Sequence, residues 1–504
     1  MSYNLHICTG LSACSAITHH DNHATSAQPN PINKLMTTHR YQKPAFYCLI
    51  GAGLLLWLIN WWHARPVFID EANVARNLFD RSFTGFFQPL DHQQYAPPFF
   101  MVVSKLCGEL FGYGERALRL PAMLGGLVAL CGLLLSVRRL ELGWWGLLPV
   151  ALLFVNPTVL RYVGEMKPYC LDLGVASLLL AAVLYWPRPS WKWALAGAFA
   201  VWFSLPSVFV LAAVGLPALW FGERRDLAGW FLCVVAWLVS FALLYLVLLK
   251  SHLGNGYLNN FHGAYFFPLP SANGFAVGRA IILTISLPKV AFGFTTFAIL
   301  GGACAAILGL QCENRRLTAT AILPVLIVLA VSALGSYSLI DRLLLFTLPG
   351  WWLLAAMGSA KLSERLALKN KWWPLGLAAA WLVIAGGTNV VRHYVSPLKF
   401  SDSRRLVTKL EPGYQPVLHS SVVPAYDYYR RVHPFWRGQT LPVAEVTDVR
   451  ELPRPGRYVL LYSVLTNKST TRKLKGDVIW ARAQDAKWVK ERRMFRAQAV
   501  YIEF

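Results

Sequence analysis

The sequence predicts a mainly α, polytopic membrane protein with about 11 transmembrane helices and a small extracytoplasmic α/β domain at its C-terminal end. Three observations predict this. Of the 504 residues, 56% are hydrophobic and only 14% are charged, whereas a soluble domain carries about 25% charged residues. Apolar runs long enough to cross a bilayer recur along the chain, separated by short basic clusters. After residue 391 the composition turns soluble.

The mean hydropathy is +0.42, and 20 Trp and 20 Tyr suit a protein with two membrane interfaces to line. A formal charge of +23 would fit a nucleic-acid partner. That class is excluded, because the basic residues lie mostly in interhelix clusters, as the positive-inside rule requires. The nine cysteines lie largely inside apolar runs and none follows Cys312. They read as small hydrophobes, with neither a disulfide framework nor zinc-ligand spacing.

Three regions follow: a disordered cytoplasmic tail over 1–45, a transmembrane domain over 46–391 and the α/β domain over 392–504. The tail is polar, and its His19, His20 and His23 read as solvated. The spans fall at about 46–63, 119–137, 143–160, a fourth ending at Trp186, a fifth and sixth joined through Leu205-Pro206-Ser207, then 227–249, 290–310, 318–335, 343–358 and 374–391. A long outer loop is expected over 250–289. Span 8, with Pro288 and Lys289, is the one candidate for a re-entrant segment.

The run Pro97–Phe111 is too short to cross and carries Ser104, Lys105 and Glu109 on one face. It reads as an amphipathic helix in the interface, opened by Pro97-Pro98. Asn73–Phe79 reads the same way, with Asp70 as its expected N-cap. With these as surface helices, the basic clusters at 138–139, 188–192, 224–225, 315–316 and 361–371 all fall on the side of the N-terminus. Counting Pro97–Phe111 as a span would flip them all, against the positive-inside rule. The opposite, outer face then holds Asp70, Glu71, His92, Tyr95, Glu165, Lys167, Tyr169, Asp341 and Arg342. In the C-terminal domain, 417–419, 457–462 and 478–481 read as strands and 424–432 as a helix.

Asp70 and Glu71 are adjacent carboxylates where a span meets water. Such groups are costly at a bilayer boundary and mark a functional site. Long cations at span ends, such as Lys105, Arg116, Arg119 and Arg161, read as snorkelling or structurally paired. A carboxylate suits a general base toward a hydroxyl, and cations beside it suit a phosphate leaving group. These are the requirements of sugar transfer from a lipid-linked phosphosugar.

The ordered motifs carry a resemblance. They are Phe68-Ile69-Asp70-Glu71-Ala72, then Gln88-Pro89-Leu90-Asp91-His92-Gln93-Gln94-Tyr95-Ala96-Pro97-Pro98, then Glu115-Arg116-Ala117-Leu118-Arg119-Leu120-Pro121. Gly164-Glu165-Met166-Lys167-Pro168-Tyr169 and Asp341-Arg342-Leu343-Leu344-Leu345-Phe346-Thr347-Leu348-Pro349 follow. Together, over roughly 46–360, the chain resembles the GT-C superfamily of membrane glycosyltransferases. It looks closest to bacterial members of the dolichyl-phosphate-mannose protein mannosyltransferase type, a group that includes lipid A aminoarabinose transferase. The resemblance implies an inverting transferase at the outer face of the plasma membrane, using a polyprenyl-phosphate sugar and a glycan, lipid or protein acceptor. It implies catalysis by Asp70 with Glu71 beside it. Substrate contacts fall to His92, Tyr95, Glu165, Lys167, Tyr169, Asp341 and Arg342. No metal ligand or cofactor is assigned, and a divalent cation is left open. The chain departs from its relatives at Tyr95-Ala96, where a Glu-Lys is common, and at Asn73, where some carry Arg. The alternative reading is a lipid or polysaccharide transporter or flippase. Against it, the charges sit at span ends rather than mid-membrane and the sequence has no internal repeat.

Overall fold

The computed structural model describes residues 31–250, 261–269, 274–293, 296–365, 372–395, 400–433, 435–436, 439–440 and 448–504. The chain divides into two units, Met1–Ala45 and Phe46–Phe504. In the first, residues 31–45 are helical, where the sequence predicts a disordered tail. Residues 1–30 of that tail, with its histidines, lie outside the described residues.

The chain begins with α1 (Pro31–Trp62), whose apolar part supplies the first crossing. The next two helices are the surface helices read from the sequence, α2 (Ile69–Asp80) and α3 (Pro98–Phe111). In α2 the buried residues, among them Ala72, Ala75 and Leu78, recur at helical spacing and leave the other face polar. In α3 the expected polar face is not kept, since Ser104 is buried and Leu106, Leu110 and Phe111 are exposed. The N-cap of α2 is Phe68 rather than Asp70, which sits inside the first turn. There the helix dipole still favours its negative charge.

The helices that follow are α4 (Glu115–Arg139), α5 (Leu147–Val155), α6 (Pro157–Tyr162), α7 (Tyr169–Tyr185), α8 (Trp191–Phe203), α9 (Ser207–Phe221) and α10 (Leu227–Leu244). After them come α11 (Gly274–Phe292), α12 (Thr296–Gly309), α13 (Arg315–Ala333), α14 (Leu348–Arg365) and α15 (Trp372–Val395). Among the described residues, six helices are long and apolar enough to cross a membrane, and shorter apolar helices accompany them. The expected third crossing is broken at Asn156. Its side chain caps α6 by accepting from the Thr158 and Val159 amides, and donates to the carbonyls of Val290 (2.8 Å) and Ala291 (3.2 Å).

Residues 274–289, expected in a loop, belong to helix α11. Arg279 and Pro288 interrupt its apolar run, yet the helix as a whole is one of the six apolar enough to cross a membrane. The C-terminal end of α11 meets Asn156 and the indole of Trp352, which donates to the Ala291 carbonyl at 2.8 Å. Helix α12 then runs beside α14, so closely that a Cβ on Gly309 would lie 2.1 Å from the Leu354 carbonyl oxygen.

The basic clusters gather at one end of the bundle. Arg139 Nε reaches the Leu184 carbonyl (3.5 Å), Arg188 pairs with Asp226 (4.0 Å), Arg316 donates to the Pro187 carbonyl and Lys361 to the Gln311 carbonyl. The other end carries α2, α3 and the C-terminal domain.

That domain holds α16 (Ser403–Thr408), β1 (Gln415–Leu418), α17 (Val423–Val432), the short pair β2 (Phe435–Trp436) and β3 (Gln439–Thr440), β4 (Arg457–Ser463), α18 (Lys468–Ala483), β5 (Lys487–Met494) and β6 (Ala497–Glu503). Its main sheet has the order β1-β4-β6-β5, with β1 parallel to β4 and the other pairs antiparallel. Residues 478–481, predicted as a strand, lie in α18. A short apolar run cannot tell the two apart, and Asn467, whose side chain accepts from the Ser469 amide at 3.0 Å, starts the helix. Val67, Ala72, Ala75 and Leu78 share one hydrophobic core with Leu406, Tyr426, Tyr428 and Tyr429. The C-terminal domain is therefore seated on the segment that carries α2 and α3, and α17 packs against α2.

Candidate active site

The site is built on the first turn of α2 and on the turn between α6 and α7. Glu71 is 1% exposed. Arg119 of α4 forks onto it, Nε to Oε1 at 3.0 Å and Nη2 to Oε2 at 3.1 Å. The Phe68 amide also donates to Oε2 (3.3 Å), closing the first turn of α2. The Met166 amide donates to Oε1 at 2.9 Å. Burial alone would raise the Glu71 pKa, but Arg119, then Arg65, and the bonds from Arg119 and Met166 hold it at about 2. Glu71 is a permanent anion whose oxygens join α2, α4 and the 163–168 turn.

This junction decides where Lys167 goes, since Lys167 follows the residue whose amide Glu71 holds. A second tie fixes the same turn. Glu165 is buried, and its Oε2 takes Arg65 at 2.8 Å and Arg161 at 3.2 Å. Helices α4 and α7, which flank the turn, approach through glycine. A Cβ on Gly125 would lie 2.5 Å from the Leu171 amide nitrogen, and one on Gly132 would lie 2.5 Å from the Ser177 carbonyl carbon.

Lys167 Nζ donates to Gln94 Oε1 at 3.0 Å in a buried setting. Burial pulls its pKa below the ordinary lysine value, and of the charges acting on it Asp70 is the strongest. Asp70 also acts on Arg342, which lies beside Tyr162 and Tyr169. The rings of Tyr162 and Tyr169 meet edge to face at 4.9 Å. Arg342 Nε is buried and has no hydrogen-bond partner among the described residues. The Asp70 carboxylate, half-buried, likewise makes no hydrogen bond or ion pair there.

The structure thus brings Asp70, Lys167, Tyr169 and Arg342 together, with Glu71 and Glu165 sealed into ion pairs behind them. Asp341 is exposed and opens the 3₁₀ turn that presents Arg342. Tyr95 is half-buried next to Gln94. His92 stands apart from the phosphate candidates. Its Nδ1 is 3.4 Å from Arg76 Nη1, and burial and Arg76 lower its pKa against the pull of Asp91, Asp80 and Asp427. The long cations fall as read. Arg116 lies over the Trp62 ring at 4.2 Å, and Lys105 Nζ donates to the Leu78 carbonyl at 2.7 Å. Sequence reasoning missed Gln94 and Tyr162 as site residues. A neutral amide and a phenol in a span carry no charge-pattern signal, and only the register of the 91–94 turn brings Gln94 to Lys167. Among the described residues, no three His, Cys, Asp or Glu side chains gather into a metal-binding group.

No family model matches the chain, and no curated protein matches it. Among solved structures it is similar to ArnT from Cupriavidus metallidurans in the apo state, with a TM-score of 0.53 and 16% identity over 91% of this chain and 98% of that one. The crystal structure of the same ArnT bound to undecaprenyl phosphate gives 0.53, 15% identity and the same coverage. The likeness establishes the fold, the expected mainly helical polytopic architecture with a small C-terminal sheet.

Proposed function

We propose that this chain is an inverting glycosyltransferase that moves a sugar from a polyprenyl-phosphate donor to an acceptor hydroxyl at the outer face of the plasma membrane. The observation that carries the reading is the Asp70 carboxylate, which makes no hydrogen bond or ion pair among the described residues and interacts electrostatically with the buried Lys167 and with Arg342. The fold shared with a protein crystallised with undecaprenyl phosphate supports the donor class.

In this reading Lys167 and Arg342 hold the donor phosphate. Asp70 accepts the proton of the acceptor hydroxyl as its oxygen attacks the anomeric carbon. A carbon–oxygen bond forms on one face of the sugar while the bond to the phosphate oxygen breaks on the other. The electron pair leaves with polyprenyl phosphate, and the two cations offset the charge that develops there. Glu71 and Arg119 are positioning residues: they fix α2 against the 163–168 turn, so that base and phosphate site face each other. Helix ends rich in Lys and Arg belong in the cytoplasm. The basic clusters at the far end of the bundle therefore support an extracytoplasmic site and C-terminal domain.

Mass spectrometry of envelope glycolipids and glycans tests the reading in cells. A strain lacking the gene is expected to lose one glycosyl modification, restored by the wild-type gene and not by Asp70→Asn. Identical glycan and glycolipid profiles with and without the gene contradict it.

A further inference from the structure

A groove of about 370 Å³ opens between α2, the 91–94 turn and the segment joining β1 to α17. Its wall carries Asn73 from α2, His92 and Gln93 from the turn, and Ser420, Val423 and Pro424 from the C-terminal domain. The volume lies at the lower end of small-molecule sites, about 300–1,000 Å³. Asn73 lies one helical turn beyond Asp70, so the two share a face of α2.

The 91–94 turn is held in an unusual shape. His92 has φ 59 and Gln93 φ 55, both in the left-handed region. Non-glycine residues persist there only where the surroundings over-determine them, and such positions cluster at ligand sites. Here Asn77 clamps the turn through Asp91, accepting its amide at 2.8 Å and donating to its carbonyl at 3.3 Å. One consequence is that Gln94 turns inward to Lys167. Its neighbour Gln93 faces the groove, so one turn serves both places.

The groove's chemistry is neutral. Arg76, on the same wall, pairs with Asp427 at 3.0 Å and is 3.4 Å from both Asn73 Oδ1 and His92 Nδ1. What remains for a ligand is an exposed amide, an imidazole, an exposed hydroxyl and a flat apolar patch of Val423 and Pro424. Amides and hydroxyls both donate and accept, which matches the vicinal hydroxyls of a sugar, while its C–H face suits the apolar patch. An anionic lipid headgroup would find its only cation already matched.

We propose that this groove receives the terminal sugar of the acceptor, which makes the acceptor a glycan. The inference rests on the transferase reading and assigns the C-terminal domain a part in acceptor choice. Ser420 and Gln93 are both exposed, so they can be changed without disturbing the core.

The test is saturation-transfer NMR on the full-length protein in lipid nanodiscs. The probes are methyl glycosides of glucose, galactose and N-acetylglucosamine and a serine-containing peptide, with undecaprenyl phosphate binding measured in parallel. At least one glycoside is expected to receive saturation. The signal should fall about ten-fold in Ser420→Trp, which fills the groove, and in Gln93→Gly, which keeps the turn and removes the amide. All three proteins should bind undecaprenyl phosphate alike. Glycoside signals unchanged in both variants, absent from the unaltered protein, or replaced by a peptide signal that Ser420→Trp abolishes, would each overturn the inference and leave the transferase reading standing. Failure of the unaltered protein to bind undecaprenyl phosphate would overturn that reading and this inference together.

Discussion

Arg119 grips Glu71 through both carboxylate oxygens, at 3.0 and 3.1 Å, while the carboxylate of Asp70, the residue before it, makes no hydrogen bond or ion pair among the described residues. Two carboxylates adjacent in sequence thus have opposite fates. The helix turns roughly 100° between consecutive residues, so Glu71 enters the junction of three elements while Asp70 does not, and Asp70 acts electrostatically on Lys167 and Arg342. Replacing Glu71 by Gln leaves the Arg119 guanidinium buried without its counter-charge, at a cost of about 3–5 kcal/mol. The expected outcome is a lower melting temperature and poor recovery of folded Glu71→Gln protein in detergent. A variant as stable as wild type would remove Glu71 from the positioning role.

The same pair predicts a pH dependence. The Glu71 pKa is about 2 in the folded protein, lowered from 4.5. A carboxyl whose folded pKa is depressed stabilises fully above its unfolded value, and this is lost as pH falls through the folded value. The stability gap between wild type and Glu71→Gln should therefore stay constant from about pH 5 to 8 and narrow below about pH 4. Thermal melts across that range in detergent check it, and a gap that widens with acid would contradict it.

Lys167 and Arg342 should govern lipid-phosphate affinity. Removing one charged hydrogen bond, as in Lys167→Met, is expected to weaken undecaprenyl phosphate binding about 10- to 100-fold. Burial lowers the Lys167 pKa, so binding by the wild type should begin to fall at a pH below the ordinary lysine range. Lys167→Arg should abolish that early fall, because arginine stays charged. Binding isotherms at several pH values measure both effects, and an unchanged affinity in Lys167→Met would exclude Lys167 from the phosphate site.

Topology has its own check. In a cysteine-free background, Ser82→Cys is expected to react with an impermeant maleimide from outside intact cells, and Glu141→Cys only after lysis. Both positions are exposed, so labelling reports sidedness rather than burial. The reverse pattern would invert the whole assignment.

Much of this was legible in the sequence, for identifiable reasons. The five basic clusters and the short, half-polar run at 97–111 predict one charged end and a surface helix, and the ties among Arg139, Arg188, Arg316 and Lys361 bear this out. Charge at a span end singles out Asp70 as a candidate, and the resemblance adds Lys167 and Arg342, because ionised groups there are few. The resemblance favours Asp70 over Glu71 as the base, but the anchoring of Glu71 was not legible, since it depends on Arg119 arriving from 48 residues away. Helix α11 is apolar enough overall to cross a membrane, but Arg279 and Pro288 split its apolar residues into shorter runs that read as loop. Strand β5 is hidden in the sequence because Lys487–Met494 is strongly basic, as an edge strand is free to be.

The most direct measurement is release of polyprenyl phosphate by the purified protein, given a polyprenyl-phosphate sugar and an envelope glycolipid extract. Wild type should release it, while Asp70→Asn should bind undecaprenyl phosphate normally yet turn over about 10²- to 10⁴-fold more slowly. Equal turnover by Asp70→Asn and wild type would contradict the assignment of Asp70 as the base.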